Sequence, residues 1–163
     1  MPDVWYENPP GTAPAQGLYS HVGLSRSGTL AFIAGQLSVG ANGEVVGSGN
    51  FEAQFRQVFK NLADVLNGLG TDYKSVLKFT TYLTRSDDIE TFMVLRRELF
   101  PKLFGKDSYP PNTLLIVSRL VKPEFMIEVE ATAAVQGDGP RQRRHAAGSA
   151  VLEQHHDGRG PQG

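Results

Sequence analysis

Two carboxylates, Glu128 and Glu130, stand two residues apart in the run Phe125-Met126-Ile127-Glu128-Val129-Glu130-Ala131-Thr132. Alternate side chains of a strand share a face, so a strand here points both the same way. A carboxylate held on such a face can orient a water and take its proton, which is general-base chemistry. The competing reading is a plain polar face, paired to lysines at a subunit contact. Upstream, Pro110-Pro111-Asn112-Thr113-Leu114-Leu115-Ile116-Val117-Ser118-Arg119-Leu120 places an amide at Asn112. That amide either meets a neutral ligand or satisfies its own backbone, as asparagine often does beside proline. Arg26, Arg56, Arg85, Arg96, Arg97 and Arg119 are the cations at hand for an anionic ligand. Each is read as solvated surface, and Arg96 and Arg97 reach a cleft only if their helix turns toward it.

Other chemistries are excluded or weak. The cysteine count is zero, which removes disulfides, thiolate metal ligands and a cysteine nucleophile. Arg141-Gln142-Arg143-Arg144-His145 holds too few cations for strong phosphate binding, and His155-His156 lacks partners at metal-ligand spacing. A formal net charge of −1 gives no field that would gather nucleic acid or an acidic membrane. No basic segment followed by an apolar run opens the chain, and no run reaches the ~18 apolar residues of a membrane span. A cytoplasmic protein is expected.

The elements that must position these groups follow from periodicity. With 163 residues, 40% hydrophobic and 20% charged, one globular domain is expected. Residues 1–17 read as an irregular lead-in, 18–135 as the domain, and 136–163 as a disordered tail poor in large apolar groups. Leu30–Ala34, closed by Gly35, reads as a buried strand. Val39–Gly49 reads as turns around a short strand at Glu44-Val45-Val46. Phe51, Phe55, Val58, Phe59, Leu62, Val65, Leu66 and Leu69 recur every three or four residues and predict a helix over 51–69. Asn50 would cap it, and Gly68 or Gly70 would end it. Val76–Leu83 reads as a strand. Asp87-Asp88-Ile89-Glu90 resembles a capping box that opens a second helix, which Pro101 should break or kink. Asn112–Ser118 and Phe125–Val135 are the last strands. The order gives an α/β sandwich with both helices on one face of the sheet. The other face then needs a cover, which self-association would supply.

Four segments carry a family resemblance: Gly17-Leu18-Tyr19-Ser20; Phe32-Ile33-Ala34-Gly35-Gln36; the helix ending at Gly68-Leu69-Gly70 with the strand Val76–Leu83; and Pro-x-x-Thr at 110–113 followed by Arg119-Leu120 and Ile127-Glu128-Val129-Glu130. Over residues 17–135 the chain resembles the RidA/YjgF family. The resemblance implies a chorismate-mutase-like mixed β-sheet with two helices on one face, a homotrimer, and ligand clefts between subunits. It implies no cofactor and no metal. The family's deaminases act on 2-imino or enamino acids; an arginine clamps the carboxylate, while a tyrosine, small polar groups and a glutamate place the attacking water.

Carried over residue by residue, the resemblance puts Tyr19 at the tyrosine. It puts Glu128 at the glutamate, once the turn 121–124 absorbs one inserted residue. Four positions depart. Ala34, beside Gly35, stands where serine is common, Met93 where asparagine is common, Asn112 at the arginine, and Leu114 where a cysteine or small residue is common. Asparagine cannot replace a guanidinium's charge or its bidentate fork. The implied set is Glu128 and Tyr19 for catalysis, with Asn112, Ala34, Gly35, Met93 and Leu114 around the ligand. Tyr19 alternatively packs as a loop aromatic, and Met93 and Leu114 as greasy wall.

The expected function is water addition to a small imine, enamine or related carbonyl metabolite, of a kind other than an ordinary 2-imino acid. A specialised pathway, such as aromatic catabolism or secondary metabolism, would supply it. The expected partners are that small molecule and further copies of the chain, with no nucleic acid and no membrane. A catalytically decayed trimer that binds or senses a small molecule is the alternative. A ribonuclease or translation inhibitor is a third, with His21 the only histidine of the core zone.

Overall fold

The apolar stripe at 51–69 makes the helix that organises the domain. In the computed structural model, which describes residues 3–136, it is α1, Phe51–Gly68. The Asn50 side chain accepts the Ala53 N–H at 3.0 Å, and Glu52 sits in the positive first turn. The helix stops where Gly70 takes a φ of 77°, a left-handed value that glycine adopts without a Cβ penalty. The buried stripe comprises Phe51, Phe55, Val58, Phe59, Leu62 and Leu66, with Gln54 among them.

This stripe packs on a four-stranded sheet. Its strands are β3 (Thr29–Gln36), β4 (Val76–Leu83), β5 (Asn112–Ile116) and β6 (Ile127–Val135), in the order β3-β6-β4-β5. β6 runs antiparallel to both β3 and β4, and β5 runs parallel to β4. The second helix, α2 (Ile89–Phe104), lies beside α1 on the same face. Phe55, Phe59, Phe79, Phe92, Phe100 and Phe104 meet there with ring centroids 4.7–6.1 Å apart. Such tilted and edge-on pairs add to simple burial. Two helices on one face of a mixed sheet is the expected α/β layering.

Several expectations need correction. The lead-in is not all irregular: β1 (Val4–Glu7) pairs antiparallel with β2 (Val22–Ser25) as a separate ribbon. The Tyr6 hydroxyl pins that ribbon to the domain by donating to the Val76 carbonyl at 2.6 Å. The 44–46 strand reduces to one bridge between Val39 and Val45. Asp88 has helical φ and ψ, makes no side-chain cap bond, and closes a 3-10 turn over Ser86–Asp88. The Ile89 N–H is satisfied by the Ser86 carbonyl instead of by a capping box. Pro101 does not end α2, which runs on to Phe104. Its missing N–H falls opposite the carbonyl of Arg97, an exposed residue whose carbonyl can turn to water. The tail clusters at 141–145 and 155–156 lie outside the described residues.

One sheet face carries the helices and the other does not. On the uncovered face Phe32 is 79% exposed and Leu30 54%. They share it with Thr80, Tyr82, Glu128 and Glu130, which alternate with the buried Phe79, Thr81, Ile127 and Val129.

Candidate functional site

Glu128 is placed by its strand and by one buried side chain. Gln54, on α1, accepts the Met126 N–H at 2.8 Å and donates to the carbonyls of Glu124 at 2.8 Å and Gly47 at 3.1 Å. Three bonds to one fully buried amide fix where β6 begins, and hence where Glu128 points. The sequence signal for Gln54 was a polar residue in an apolar stripe.

Across the sheet, β3 carries an irregularity between Ile33 and Gln36, so Ala34 and Gly35 form a bulge beside β6. The Glu128 carboxylate lies against Gly35, and a Cβ at that glycine would collide with it. Glycine is required here for close approach. Among the described residues Glu128 makes no side-chain hydrogen bond, whereas Glu130 accepts the Tyr82 hydroxyl at 2.6 Å. Burial first, and the nearby Glu130 charge second, push the Glu128 carboxyl above the usual carboxylate range. Glu128, Gly35 and the exposed Ala34 therefore form one group.

A second group forms around Tyr19 and Asn112. Both line a cavity of about 510 Å³ between the loop before β2 and the starts of β4 and β5, together with His21, Lys78, Thr113 and Thr132. The Tyr19 hydroxyl accepts the Gln16 N–H at 3.1 Å, and its ring meets His21 edge-on at 6.0 Å. Asn112 stands opposite Phe79 in the β4–β5 register, and its Oδ1 accepts the Thr81 hydroxyl at 2.8 Å. The amide oxygen is thus engaged, while its N–H groups bond to no described residue. Leu114, opposite the buried Thr81, packs partly on the core.

Met93 belongs with neither ligand nor solvent alone. Its sulfur accepts from Nη2 of Arg96 at 3.0 Å. Arg96 is not on the solvated surface, as its charge led us to expect, but 3% exposed. It faces inward because α2 spaces it one turn from Phe92 and from Phe100. Its guanidinium lies over those rings, 5.5 and 5.9 Å from their centroids. Arg97 is exposed, as expected. Arg119 donates to the carbonyls of Leu120 and Val121, a turn-stabilising role.

The expected site residues therefore fall into two groups, although the cavity of the second also takes in Lys78, Thr113 and Thr132, whose register puts them on the side that Glu128 faces. Glu128 faces the uncovered side with Thr80 and Tyr82; Asn112 and Leu114 align with the helix-covered Phe79 and Thr81. No cluster of three or more histidine, aspartate or glutamate residues suited to a metal occurs among the described residues. Nor is any described helix long and apolar enough to cross a membrane.

Residues 10–135 match the family model described as Endoribonuclease L-PSP. A RutC family protein of Pyrococcus horikoshii is 35% identical over 109 residues, 66% of this chain and 81% of that protein. The human 2-iminobutanoate/2-iminopropanoate deaminase is 28% identical over 106 residues, 65% of this chain and 72% of that protein. Among solved structures, a Rid-family protein of unknown function from Yersinia pestis superposes with a TM-score of 0.72 at 30% identity, covering 82% of this chain and 99% of that one.

Proposed function

This chain belongs to the RidA/YjgF family, matched as Endoribonuclease L-PSP, and from that premise we propose that it hydrolyses a small imine or enamine by adding water. The observation that carries the reading is Glu128: an unengaged carboxylate of raised proton affinity, seated against Gly35 on an uncovered sheet face. Named deaminases among its relatives support the same chemistry.

In the proposed step, Glu128 takes a proton from a bound water as the water oxygen bonds to the imine carbon. The C=N π pair moves to nitrogen, which gains a proton. That proton is the one Glu128 holds; as the resulting tetrahedral carbinolamine collapses, its hydroxyl proton passes through the same carboxylate to the amino nitrogen, the C–N bond breaks, and ammonia leaves behind a carbonyl. An enamine enters the same path by tautomerising to the imine. Ala34 and Gly35 would shape the wall beside this water. Tyr19, Asn112, Met93 and Leu114 would hold the rest of the ligand.

Glu128 is not in the lining of the cavity that Tyr19 and Asn112 share, and a cleft that uses both is one we place between two copies. The exposed Phe32 and Leu30 favour such an assembly, and a homotrimer is the form we propose. Asn112 lacks the charge of an arginine, so the ligand is held differently from a 2-imino acid clamped at that position.

The test is turnover of freshly generated 2-imino acids and of neutral enamines by wild type and by Asn112→Arg. Wild-type ammonia release from at least one of these, with a shift toward simple 2-imino acids in Asn112→Arg, is the expected result. Absence of release from every substrate in both proteins would overturn the reading.

A further inference from the structure

Glu128 and Glu130 leave one strand on one face, yet they are not equivalent. In the β4–β6 register Tyr82 stands directly opposite Glu128, and Thr80 stands opposite Glu130. The Tyr82 hydroxyl nevertheless crosses diagonally and donates to Glu130 at 2.6 Å. Diagonal neighbours of a strand pair are about 7–8 Å apart, which an aromatic side chain spans. The bond has the short length of a hydroxyl donating to a carboxylate. Glu130 is therefore held, while Glu128, lying against Gly35, makes no side-chain hydrogen bond among the described residues.

The other groups around Glu128 leave this pair to itself. The flanking strands β3 and β5 carry no titratable residue. On β4, Lys78 stands opposite Thr132. That is four residues along β6 from Glu128, or roughly 13 Å at the rise of a strand. Lys122 and Glu124, in the turn before β6, are exposed. After burial itself, the charge that raises the proton affinity of Glu128 is Glu130. The Tyr82 phenol in turn holds its proton above the usual phenol range, through its bond to Glu130 first, so it stays a donor.

We propose that Tyr82 is a positioning residue: by gripping Glu130 it fixes that charge beside Glu128 and leaves Glu128 as the one carboxyl of the two that is free to meet the water. This rests on the imine-hydrolase reading and concerns how its acid–base group is tuned. In that reaction Glu128 takes a proton and hands it back. A carboxyl does both best when its proton affinity lies near the working pH. An ordinary glutamate titrates near about 4.3, which is too acidic for that work at neutrality. A negative charge fixed close by moves a half-buried carboxyl in the needed direction. Without the Tyr82 hydroxyl, Glu130 is free to swing into solvent, where distance and salt weaken its effect. Two acids side by side take separate roles when their surroundings differ, and here the difference is one phenol.

The experiment is a carbon-13 titration of glutamate-labelled wild type, Tyr82→Phe, Glu130→Gln and the double variant, with Glu128→Gln to assign the signal. The dependence of kcat/KM for imines on pH is measured in parallel, at confirmed equal assembly. Phenylalanine keeps the ring and loses only the hydroxyl, so the variant is expected to fold. The Glu128 midpoint is expected to move to lower pH in Tyr82→Phe and in Glu130→Gln, and the acid limb of kcat/KM to move with it. The double variant should titrate as Glu130→Gln alone, because the hydroxyl acts through that carboxylate. A Tyr82 that only supports the fold would lower the melting temperature and leave the Glu128 midpoint where it stands in wild type. That result overturns the inference, as does an unmoved midpoint in Glu130→Gln or a Tyr82→Phe shift of the same size with and without Glu130. The titration needs no turnover, so the two readings separate. Midpoints that move as expected in a protein inert toward every imine would remove the hydrolase reading and keep the coupling of Tyr82, Glu130 and Glu128. Turnover with unmoved midpoints would do the reverse.

Discussion

At the scale of single residues, two charges outside any ion pair among the described residues stand out, Glu128 and the buried Arg96. Residue types announced the first: Glu128 and Glu130 two apart in a strand can only share a face. They did not announce the second, because an arginine on a helix is solvated in most proteins and its register against the rings of Phe92 and Phe100 is a tertiary fact. The Glu128 carboxyl makes the stability of the fold depend on pH. Its proton is held more tightly in the folded chain, through burial and then the Glu130 charge. Folding therefore becomes less favourable as pH rises through the folded pKa, a penalty absent below the unfolded value of about 4.3. Glu128→Gln should raise the denaturation midpoint near neutrality, and the gain should vanish as pH falls toward about 4. Urea melts at several pH values would read this. A constant difference between the two proteins across that range would contradict it.

At the scale of elements, the pieces with strong periods were legible. The stripe of α1 and its Asn50 cap, and strand β4, follow from spacing and local chemistry. The ribbon β1–β2 was not legible, because four-residue strands among prolines and glycines carry no period. The bulge at Ala34-Gly35 was visible only as a glycine after an apolar run, and its purpose is clear only beside Glu128. Gly35→Ala drives a Cβ into that carboxylate, whose flexible end can swing away. Turnover is expected to fall by about 10²-fold, as for a catalytic group displaced by an ångström, with little change in melting temperature. A wild-type rate in Gly35→Ala would show that Glu128 need not sit there. Gln54→Leu tests the other support: it strands the Met126 N–H and leaves the Gly47 and Glu124 carbonyls unmet. A loss of about 2–4 kcal/mol by urea denaturation is expected, and a loss below about 0.5 kcal/mol would mean water replaces the amide.

At the scale of the whole molecule, the layering leaves one face of the sheet without a cover in a single chain. The helices cover one sheet face, and the candidate groups lie on both. The sequence could say that a face would be left over, since two helices cover one side of a sheet. It could not say which residues face which way, since Asn112 and Glu128 sit in different strands whose register is set by β4 between them. Phe32→Asp places a charge on the uncovered face without touching the aromatic core. Sedimentation is expected to show the assembly reduced to single chains that keep their far-ultraviolet dichroism, and activity should fall with it; an unchanged sedimentation coefficient would remove Phe32 from any interface. The central claim, however, is water addition assisted by Glu128. The measurement that addresses it most directly is steady-state ammonia release from freshly generated imines, comparing wild type with Glu128→Gln at equal concentration and confirmed equal assembly. The account predicts a kcat lowered by roughly 10²- to 10⁴-fold with KM little changed, as for loss of a general base. A Glu128→Gln protein that releases ammonia at the wild-type rate would contradict it.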